Sequence, residues 1–405
     1  MKAVGVIVEY NPFHNGHAFH LQASKEAANA DVVIAVMSGN FLQRGEPALV
    51  SKWYRTRMAL LKGVDIVFEL PYSFAVQHAQ NFASGAVSIL TSAGCDTLCF
   101  GSESGEMNTF LKTIQYLETQ QETYSENIKR FMGTGVSYAK ATAMAFQQLP
   151  ASGQLLDLAK PNNILGFHYI KALHQQQSPI NPLTVSRKNA DYHDEHFASE
   201  TIASATSIRK AIFSNENGHQ DISQYVPEST QQLLNEYYQH YGLFHRWDNY
   251  WNYLQYRLLQ TTPEELQGIY EVEEGLENRL IQAAMESSSF LEFMERLKTK
   301  RYTWTRLQRV CVHILTNTKK TEMPGFSDNP AYLRLLGMSS TGKDYLNKRK
   351  KHLDLPLVSK LSSFKNEAIQ LDIRAARIYN LAVPSAQSKK LLQQEYSHPP
   401  IFLAK

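Results

Sequence analysis

The sequence is poor in cysteine and has no long apolar run. Its 405 residues include three cysteines, Cys95, Cys99 and Cys311, which excludes a disulfide-stabilised scaffold. Cys95 and Cys99 lack the C-x-x-C spacing of a zinc knuckle, so buried packing roles are expected for them. No stretch reaches the roughly 18 consecutive apolar residues that a transmembrane helix needs. The short apolar run after Lys2 lacks the features of a signal peptide, so we expect a cytoplasmic protein with no membrane attachment.

Acidic residues are scarce in the C-terminal third of the chain. Between Arg296 and Lys390 there are 20 Lys and Arg against 6 Asp and Glu, whereas the rest of the chain holds 21 basic and 32 acidic residues. A mildly acidic body with a strongly basic end is typical of a protein that binds a polyanion. A solvated helical face rich in lysine is the alternative, and charge alone does not separate the two.

Apolar runs of strand length alternate with helical segments in the first half of the chain. The runs are AVGVIVEY, DVVIAVMSG, VDIVFELP, CDTLCFGSE and, later, INPLTVSRKNA. Continuous apolar strands separated by helices indicate a parallel sheet that helices cover on both faces. Right-handed crossovers place the loops that follow these strands at one edge of the sheet, where doubly wound proteins bind ligands.

The chain changes character near residue 215, beyond which long amphipathic helices dominate. The composition, with 43% hydrophobic and 20% charged residues, is ordinary for a globular protein, and the length suggests about two or three domains. We predict an α/β fold in which a domain with a Rossmann-like parallel sheet, residues 1–215, precedes a mainly helical, basic C-terminal region, residues 216–405.

Three histidines cluster directly after the first predicted strand, in VEYNPFHNGHAFH. The tetrapeptide His14-Asn15-Gly16-His17 precedes a predicted helix, whose first N–H groups and positive dipole end suit a phosphate. Gly16 permits close approach because it has no side chain. His14 and His17 can donate hydrogen bonds to phosphate oxygens whose charge grows during attack at phosphorus.

Two other interpretations of this cluster are weaker. A zinc site would need further ligands, and Glu9, His20 and His78 stand at no recognisable spacing. Burial of the histidines in the core is the other alternative, but three histidines within seven residues rarely all bury. The pattern therefore favours a nucleotide phosphate as the ligand.

A second phosphate-binding pattern, SATSIR, lies about 190 residues further along the chain. Ser204 and Thr206 stand at the start of a predicted helix, and Arg209 follows within it. Hydroxyl groups at a helix start and a guanidinium suit the tail of a triphosphate. Alone this pattern would be an ordinary helix cap, but together with the histidine motif it is fairly specific.

These two motifs resemble the HxGH and S-x-T-x-I-R motifs of the nucleotidyltransferase superfamily. Other segments resemble one of its families, the tRNA(Met) cytidine acetate ligases, across essentially the whole chain: SGNFLQRGEPALVSKWYRTRMAL, DIVFELP, FGSE, KPNNILGFHY and SRKNADYHD. The resemblance implies a ligase reaction in two steps. Acetate attacks the α-phosphate of ATP, which gives acetyl-adenylate and pyrophosphate. The acetyl group then passes to N4 of the wobble cytidine of elongator tRNA(Met), and AMP is released.

The resemblance also implies roles for individual residues. His14, His17 and Arg209 would be catalytic, stabilising the transition state and the pyrophosphate. The ATP site would comprise Ile7, Val8, Glu9, Tyr10, Asn11, Pro12, Phe13, His14, Asn15, Gly16, His17, Ala18, Phe19, His20, Gly101, Asn162, Arg187, Ser204 and Thr206. Within this set His20 is expected to be mainly a packing residue. Mg²⁺ is expected with ATP, but the sequence identifies no protein ligand for it.

Several of these positions have plainer explanations when they are considered singly. Gly101 fits a turn, Asn162 fits a helix N-cap and Arg187 fits a charge at a strand end. Gln43 and Arg44 follow the second strand and could meet a small carboxylate or a phosphate. They could equally belong to an ordinary surface loop.

The basic C-terminal region contains three further patterns. Gly337–Lys343 has Walker A spacing, but Asp344 follows it and the preceding AYLRLLG is expected to be helical, so no ATP site is expected there. Lys343 and the lysines and arginine of residues 348–351 are expected to meet RNA phosphates. Residues 301–309 mix arginine with Tyr302 and Trp304, which suits RNA or an amphipathic helix with the tryptophan in the core.

Two other functions stay open at this stage. One is an adenylyltransferase that moves AMP onto a small phosphorylated metabolite, although such a substrate does not require a strongly basic surface. The other is a non-catalytic RNA-binding protein that holds ATP as a structural ligand, although the intact phosphate motifs argue against it.

Overall fold

The computed structural model describes residues 1–150, 153, 155–186, 202–214, 222–273, 275–323, 325 and 329–404. Arg187 lies outside these residues, as does the predicted boundary between residues 215 and 216. Among the described residues no helix is both long and apolar enough to cross a membrane.

Eight strands form one sheet in the order β5-β4-β1-β2-β3-β6-β7, with β8 also paired to β6. The strands are β1 (Ala3–Val8), β2 (Val32–Ser38), β3 (Ile66–Leu70), β4 (Thr97–Ser102), β5 (Asn181–Ser186), β6 (Leu333–Ser339), β7 (Leu357–Val358) and β8 (Ile401–Leu403). Strands β1 to β5 are parallel, and β6 runs antiparallel to β3. The mostly parallel sheet confirms the predicted α/β, Rossmann-like class.

Helices precede and follow these strands along the whole chain. They are α1 (Asn15–Ala28), α2 (Lys52–Leu61), α3 (Tyr72–Ala75), α4 (Ala79–Ser92), α5 (Met107–Thr119), α6 (Gln121–Met132), α7 (Tyr138–Gln147), α8 (Pro161–Gln175), α9 (Ala205–Phe213), α10 (Glu228–Tyr241), α11 (Trp251–Gln260), α12 (Pro263–Gln267), α13 (Leu276–Met285), α14 (Phe290–Leu297), α15 (Trp304–Leu315), α16 (Ser340–Arg349), α17 (Ile369–Tyr379) and α18 (Ser385–Ser397). The C-terminal region is mainly helical, as its amphipathic pattern predicts.

The sheet separates two hydrophobic cores. Helices α1, α2, α9 and α10 cover one face, and α4, α5, α8 and α16 cover the other. All seven residues of β2 are buried, which explains why its sequence is continuously apolar instead of alternating. The three cysteines are buried and unpaired, so their expected packing role is confirmed.

The expectation of a helix before Gly337 is wrong, because Leu333–Ser339 is strand β6. Its leucines have good helix propensity, but six of its seven residues are buried against neighbours on both sides of the sheet. Tertiary packing of this kind overrides intrinsic propensity. The C-terminal region therefore contributes three strands, β6 to β8, to the sheet that the N-terminal half begins.

A third core joins the C-terminal helices to the loops that follow β2 and β3. Phe41 of the loop after β2 and Tyr72, the first residue of α3 beyond β3, pack with residues of α11 to α15 and α17. The indole N–H of Trp247 donates to the carbonyl of Gly45 at 3.0 Å. A Cβ at Gly45 would lie 2.3 Å from the backbone nitrogen of Arg309, so glycine is required for this approach. The C-terminal helices thus hold the loops at the carboxyl edge of the sheet.

Candidate active site

A cavity of about 280 Å³ opens at the carboxyl edge of the parallel strands. The loops after β1 and β2, the ends of β4 and β5, and the first turns of α1, α8 and α9 line it. Strand β1 lies between β2 and β4, so the cavity sits where the strand order reverses, as expected for a doubly wound sheet. Helix starts at such a site direct positive dipole ends toward a bound anion.

Most residues of the predicted ATP site line this cavity. They are Ile7, Val8, Glu9, Tyr10, Asn11, His14, Gly16, His17, Phe19, His20, Gly101, Asn162, Ser204 and Thr206. Arg209, predicted as a catalytic residue, lines the cavity as well. Pro12, Phe13, Asn15 and Ala18 are not among its lining residues. Phe13 is fully buried in the core, and the Asn15 amide instead donates to the carbonyl of Gln224 at 2.9 Å.

His14 and His17 form the first turn of α1. The Nδ1 of His14 accepts the N–H of Gly16 at 3.1 Å, and the Nδ1 of His17 accepts the N–H of His14 at 3.3 Å. In a neutral ring this pattern places the proton on Nε2. A Cβ on Gly16 would lie 2.9 Å from the ring of His14, so glycine leaves room for this ring. Both histidines can therefore act as hydrogen-bond donors through Nε2.

His20 lies one turn further along α1 and also lines the cavity. Its Nε2 is 3.5 Å from the hydroxyl of Ser24 on the same helix. It is a wall residue of the cavity and not solely the packing residue that its position in the helix suggests.

Arg209 extends from α9 toward the loop that carries the histidines. Its guanidinium donates to the carbonyl of Asn11 at 2.9 Å and to the carboxylate of Glu46 at 3.1 Å. Ser204 is the N-cap of α9 and accepts the N–H of Ser207 at 3.0 Å. The S-x-T-x-I-R segment and the HxGH segment thus meet at one cavity, as their pairing in the sequence predicts.

Asn162 is not the N-cap of α8, because Lys160 holds that position. The Asn162 amide donates to the carboxylate of Glu103 at 2.7 Å, and the same carboxylate accepts the N–H of Asn163 at 2.8 Å. Glu103 therefore satisfies the N–H groups of Asn162 and Asn163 in the first turn of α8, so an anion would have to displace this carboxylate to bind there.

An apolar wall completes the cavity on the β4 and β5 side. It consists of Phe82, Phe100, Leu165, Tyr169 and Val185. A largely apolar surface with aromatic rings suits a nucleobase. The ATP site predicted from the sequence did not include these five residues. The spacing of Leu165 and Tyr169 after Asn162 nevertheless places these three residues on the same face of a predicted helix.

Gln43 and Arg44 line the cavity from the β2 side. The backbone N–H of Gln43 donates to Glu9 Oε1 at 2.8 Å, and its side-chain amide donates to the carbonyl of Gln77 at 2.7 Å. Burial raises the pKa of Glu9, although the Gln43 N–H and the charge of Arg44 partly oppose this rise. The buried Arg55 donates to the carbonyl of Glu9 at 2.7 Å and so fixes the end of β1.

The described residues contain no group of three or more His, Cys, Asp or Glu that could hold a metal ion. Glu9 and Glu46 are the carboxylates that line the cavity, and Glu46 is paired with Arg209. A Mg²⁺ ion that enters with ATP would accordingly depend on phosphate and water oxygens for most of its ligands.

The segment with Walker A spacing has no room for a phosphate. Ser339 caps α16 and donates to the carboxylate of Asp65 at 2.7 Å, and a Cβ on Gly342 would lie 2.0 Å from the carbonyl oxygen of Asp65. Asp65 precedes β3, so α16 begins at the amino edge of the parallel strands. The exposed Lys348, Lys350 and Lys351 near its end lie at that edge and not beside the cavity.

The arginine and aromatic cluster of residues 301–309 is largely part of the core. Tyr302 is buried and Trp304 packs against the third core. Arg309 is buried and forms an ion pair of 2.8 Å with Glu271. The amphipathic-helix interpretation therefore accounts for most of this segment.

Comparisons with known proteins agree with this site. The HIGH Nucleotidyl Transferase family model matches residues 1–395. The tRNA(Met) cytidine acetate ligase of Geobacillus sp. (strain WCH70) is 50% identical over 99% of this chain and 100% of that protein. The enzyme of that name from Bacillus subtilis (strain 168) is 49% identical over 99% of this chain and 97% of its own length.

Crystal structures of Thermotoga maritima TmcAL are similar over the full length of both chains. The apo form has a TM-score of 0.92 at 32% identity, and the form bound with alpha-thio ATP has a TM-score of 0.89 at 30% identity.

This chain belongs to the tRNA(Met) cytidine acetate ligases of the HIGH nucleotidyltransferase family. The resemblance that the motifs carry is thereby confirmed. The family match continues to residue 395, so it includes β6, β7 and most of α18. In this member of the family the C-terminal strands belong to the same sheet as the HxGH strand.

Proposed function

We propose that this protein is an ATP-dependent tRNA(Met) cytidine acetate ligase. It activates acetate as acetyl-adenylate and transfers the acetyl group to N4 of the wobble cytidine of elongator tRNA(Met). The observation that carries this proposal is the meeting of His14, His17 and Arg209 at one cavity in a chain about half identical to enzymes of that name. Because its substrates are ATP and tRNA, we place the reaction in the cytoplasm.

The first step needs positioning and charge stabilisation. The acetate carboxylate is ionised at neutral pH, so it attacks the α-phosphorus without a general base. Nε2–H of His14 and His17 would donate to the phosphate oxygens as negative charge grows on them. Arg209 and the start of α9, with Ser204 and Thr206, would hold the departing pyrophosphate. Mg²⁺ accompanies ATP as a counter-ion.

The proposed site for the adenine base is the apolar wall, which lies between Gly101 and Asn162. Phe100, Leu165 and Tyr169 would give an adenine ring apolar contacts, and Gly101 would let the nucleotide approach the strand. Arg187 follows β5 in sequence, so its place in the ATP site rests on the resemblance alone.

The proposed RNA surface is the basic C-terminal region. Of its cations, Arg309 and Arg334 are buried and paired with Glu271 and Glu395, so they are structural. Exposed cations include Lys298, Lys300, Arg301, Lys343, Lys348, Lys350, Lys351, Lys360, Lys365, Arg377, Lys389 and Lys390. In this scheme residues 1–215 carry the ATP chemistry and residues 216–405 bind the tRNA.

Incorporation of labelled acetate tests the proposal. The protein, ATP, labelled acetate and unmodified elongator tRNA(Met) should give label in RNA, and omission of ATP or the tRNA should prevent it. An adenylyltransferase for small metabolites would give no label in RNA. A non-catalytic RNA-binding protein would bind the tRNA but form neither AMP nor pyrophosphate.

A further inference from the structure

Among the described residues two carboxylates line the cavity, and they are held differently. Glu46 forms an ion pair with Arg209. Glu9 forms none among the described residues. Its hydrogen bonds, from the Gln43 N–H at 2.8 Å and the Ser38 hydroxyl at 3.5 Å, both end on Oε1. Oε2 accepts no hydrogen bond from the described residues, and the carboxylate belongs to the cavity lining.

The backbone around Glu9 is rigidly held. Arg55 donates to the carbonyls of Glu9 and Ser38 at 2.7 and 3.0 Å, which ties the end of β1 to the end of β2. The Gln43 side chain is anchored on the carbonyl of Gln77 at 2.7 Å. On this fixed backbone the Gln43 N–H and the Ser38 hydroxyl hold Oε1, so Oε2 is the oxygen that accepts no hydrogen bond from the described residues.

The acetyl transfer of the proposed function creates a need for a proton acceptor. The exocyclic N4 amine of cytidine is conjugated with the ring and is a weak nucleophile. When it attacks the acetyl carbonyl, the N4–C bond forms and N4 becomes acidic. The C–O bond to the AMP phosphate then breaks, its electron pair leaves with AMP, and one proton must leave N4.

His14, His17, Arg209 and Glu46, which also line the cavity, are poorly suited to accept that proton. His14 and His17 use Nδ1 as an acceptor for backbone N–H groups, so each presents a donor at Nε2. Arg209 is cationic, and the negative charge of Glu46 is neutralised by it.

The tyrosines that line the cavity are also excluded as acceptors of the N4 proton. Burial raises the pKa of Tyr10 and of Tyr169, so both stay protonated at neutral pH.

We propose that Glu9 is the general base of acetyl transfer, taking the N4 proton on Oε2 as the N4–C bond forms. This assignment rests on the proposed function and adds a residue role for its second step. A carboxyl group whose pKa is raised by burial is a stronger base at neutral pH than an exposed one. After AMP leaves, the proton passes to solvent and the carboxylate is restored.

The variant Glu9→Gln tests this role with little structural change. The glutamine carbonyl can still accept the Gln43 N–H, while the amide nitrogen that replaces Oε2 cannot accept a proton. Two rates are compared: acetate-dependent ATP–pyrophosphate exchange, and single-turnover transfer of acetyl from preformed acetyl-adenylate to tRNA. We expect the transfer rate to fall at least about 100-fold more than the exchange rate.

The pH profile gives a second readout that a structural role would not change. Wild-type transfer should rise with pH through one ionisation above the ordinary glutamate pKa, and Glu9→Gln should lose this rise. Glu46→Gln is the matched carboxylate control. It should lower both rates together, because it releases Arg209, and it should keep the pH-dependent rise.

Each remaining outcome overturns the proposal. Equal loss of exchange and transfer in Glu9→Gln would make Glu9 an ATP-binding residue. If the transfer rate of Glu9→Gln still rose with pH, Glu9 would not be the base. If the transfer rate of His20→Gln lost this rise, His20 would be the base instead. Absence of acetate-dependent exchange in the wild-type protein would instead contradict the proposed function itself, so the two failures are distinguishable.

Discussion

The imidazole rings of His14 and His17 stack with their centroids 3.7 Å apart, and the Nδ1 of His17 accepts the backbone N–H of His14. The hydrogen bond fixes the ring of His17 at the start of α1 and, in a neutral ring, places the proton on Nε2. One histidine therefore orients the other, and the helix start orients both.

Replacement of His17 by alanine removes one donor to the developing phosphate charge. We expect His17→Ala to lower acetate-dependent ATP–pyrophosphate exchange by at least about 100-fold, while tRNA binding stays unchanged. His352→Ala, at an exposed histidine beyond α16, is the control and should exchange at the wild-type rate. Wild-type exchange in His17→Ala would remove this histidine from the catalytic site.

The motifs allowed the residues that meet at the cavity to be predicted, because each motif stands directly after a strand or at a helix start. Gly16, Ser204 and Arg209 are recognisable in sequence since their residue types are required by local backbone geometry or by charge. The apolar wall was not predictable, because Phe82 and Tyr169 resemble ordinary core residues until the sheet brings their helices together. Likewise, nothing in the sequence around Glu46 indicates that it pairs with Arg209.

The C-terminal strands could not be predicted from the sequence, for a related reason. In β6 the run of Leu333 to Gly337 satisfies a helical pattern as well as a strand pattern. Only pairing with β3, more than 260 residues earlier in the chain, decides between them. Long-range pairing of this kind is not encoded in a local window of sequence.

A buried ion-pair cluster joins the two halves of the chain and should dominate stability. Lys52 Nζ lies 2.7 Å from carboxylate oxygens of both Glu69 and Glu395, and all three side chains are almost fully buried. Lys52→Met leaves two buried carboxylates without their shared cation. We expect a loss of about 3–5 kcal/mol in the free energy of unfolding, measured with urea.

The exposed Lys62, at the end of α2, provides the control. Lys62→Met should change the free energy of unfolding by less than about 0.5 kcal/mol. Similar small values for both variants would show that the Lys52 cluster contributes little to the connection between the halves.

Asp372 should make stability depend on pH. Burial, with a smaller contribution from the charge of Glu69, raises its pKa to about 7. Between these two pKa values, about 3.9 in the unfolded state and about 7 in the folded state, the folded protein therefore keeps a proton that the unfolded chain has released. Stability from this group is present at low pH and is lost as pH rises toward the folded pKa.

Asp372→Asn isolates this effect. The asparagine can accept the Tyr72 N–H and face the Tyr332 hydroxyl, as the aspartate does, but it does not ionise. We expect the variant to gain stability relative to wild type between pH 5 and pH 8, measured by urea unfolding at each pH. Parallel profiles for the two proteins would contradict the raised pKa.

The basic surface near the end of α16 should contribute to tRNA binding. In Lys348→Glu/Lys350→Glu, two exposed cations are reversed. We expect weaker tRNA binding and a plot of log K against log salt whose slope is shallower by about 1.4–1.8, since each lost phosphate contact removes about 0.7–0.9. Lys25→Glu/Lys62→Glu, with the same charge change on α1 and α2, should keep the wild-type slope. Equal slopes in all three proteins would exclude α16 from the RNA interface.

Nucleoside analysis of the product tRNA is the most direct test of the proposed activity. Unmodified elongator tRNA(Met) is incubated with the protein, ATP and acetate, digested and examined by mass spectrometry, while AMP is quantified in the same sample. We expect N4-acetylcytidine at the wobble position and one AMP for each acetyl group transferred. Unmodified cytidine at that position, with ATP intact or with AMP attached to another acceptor, would contradict it.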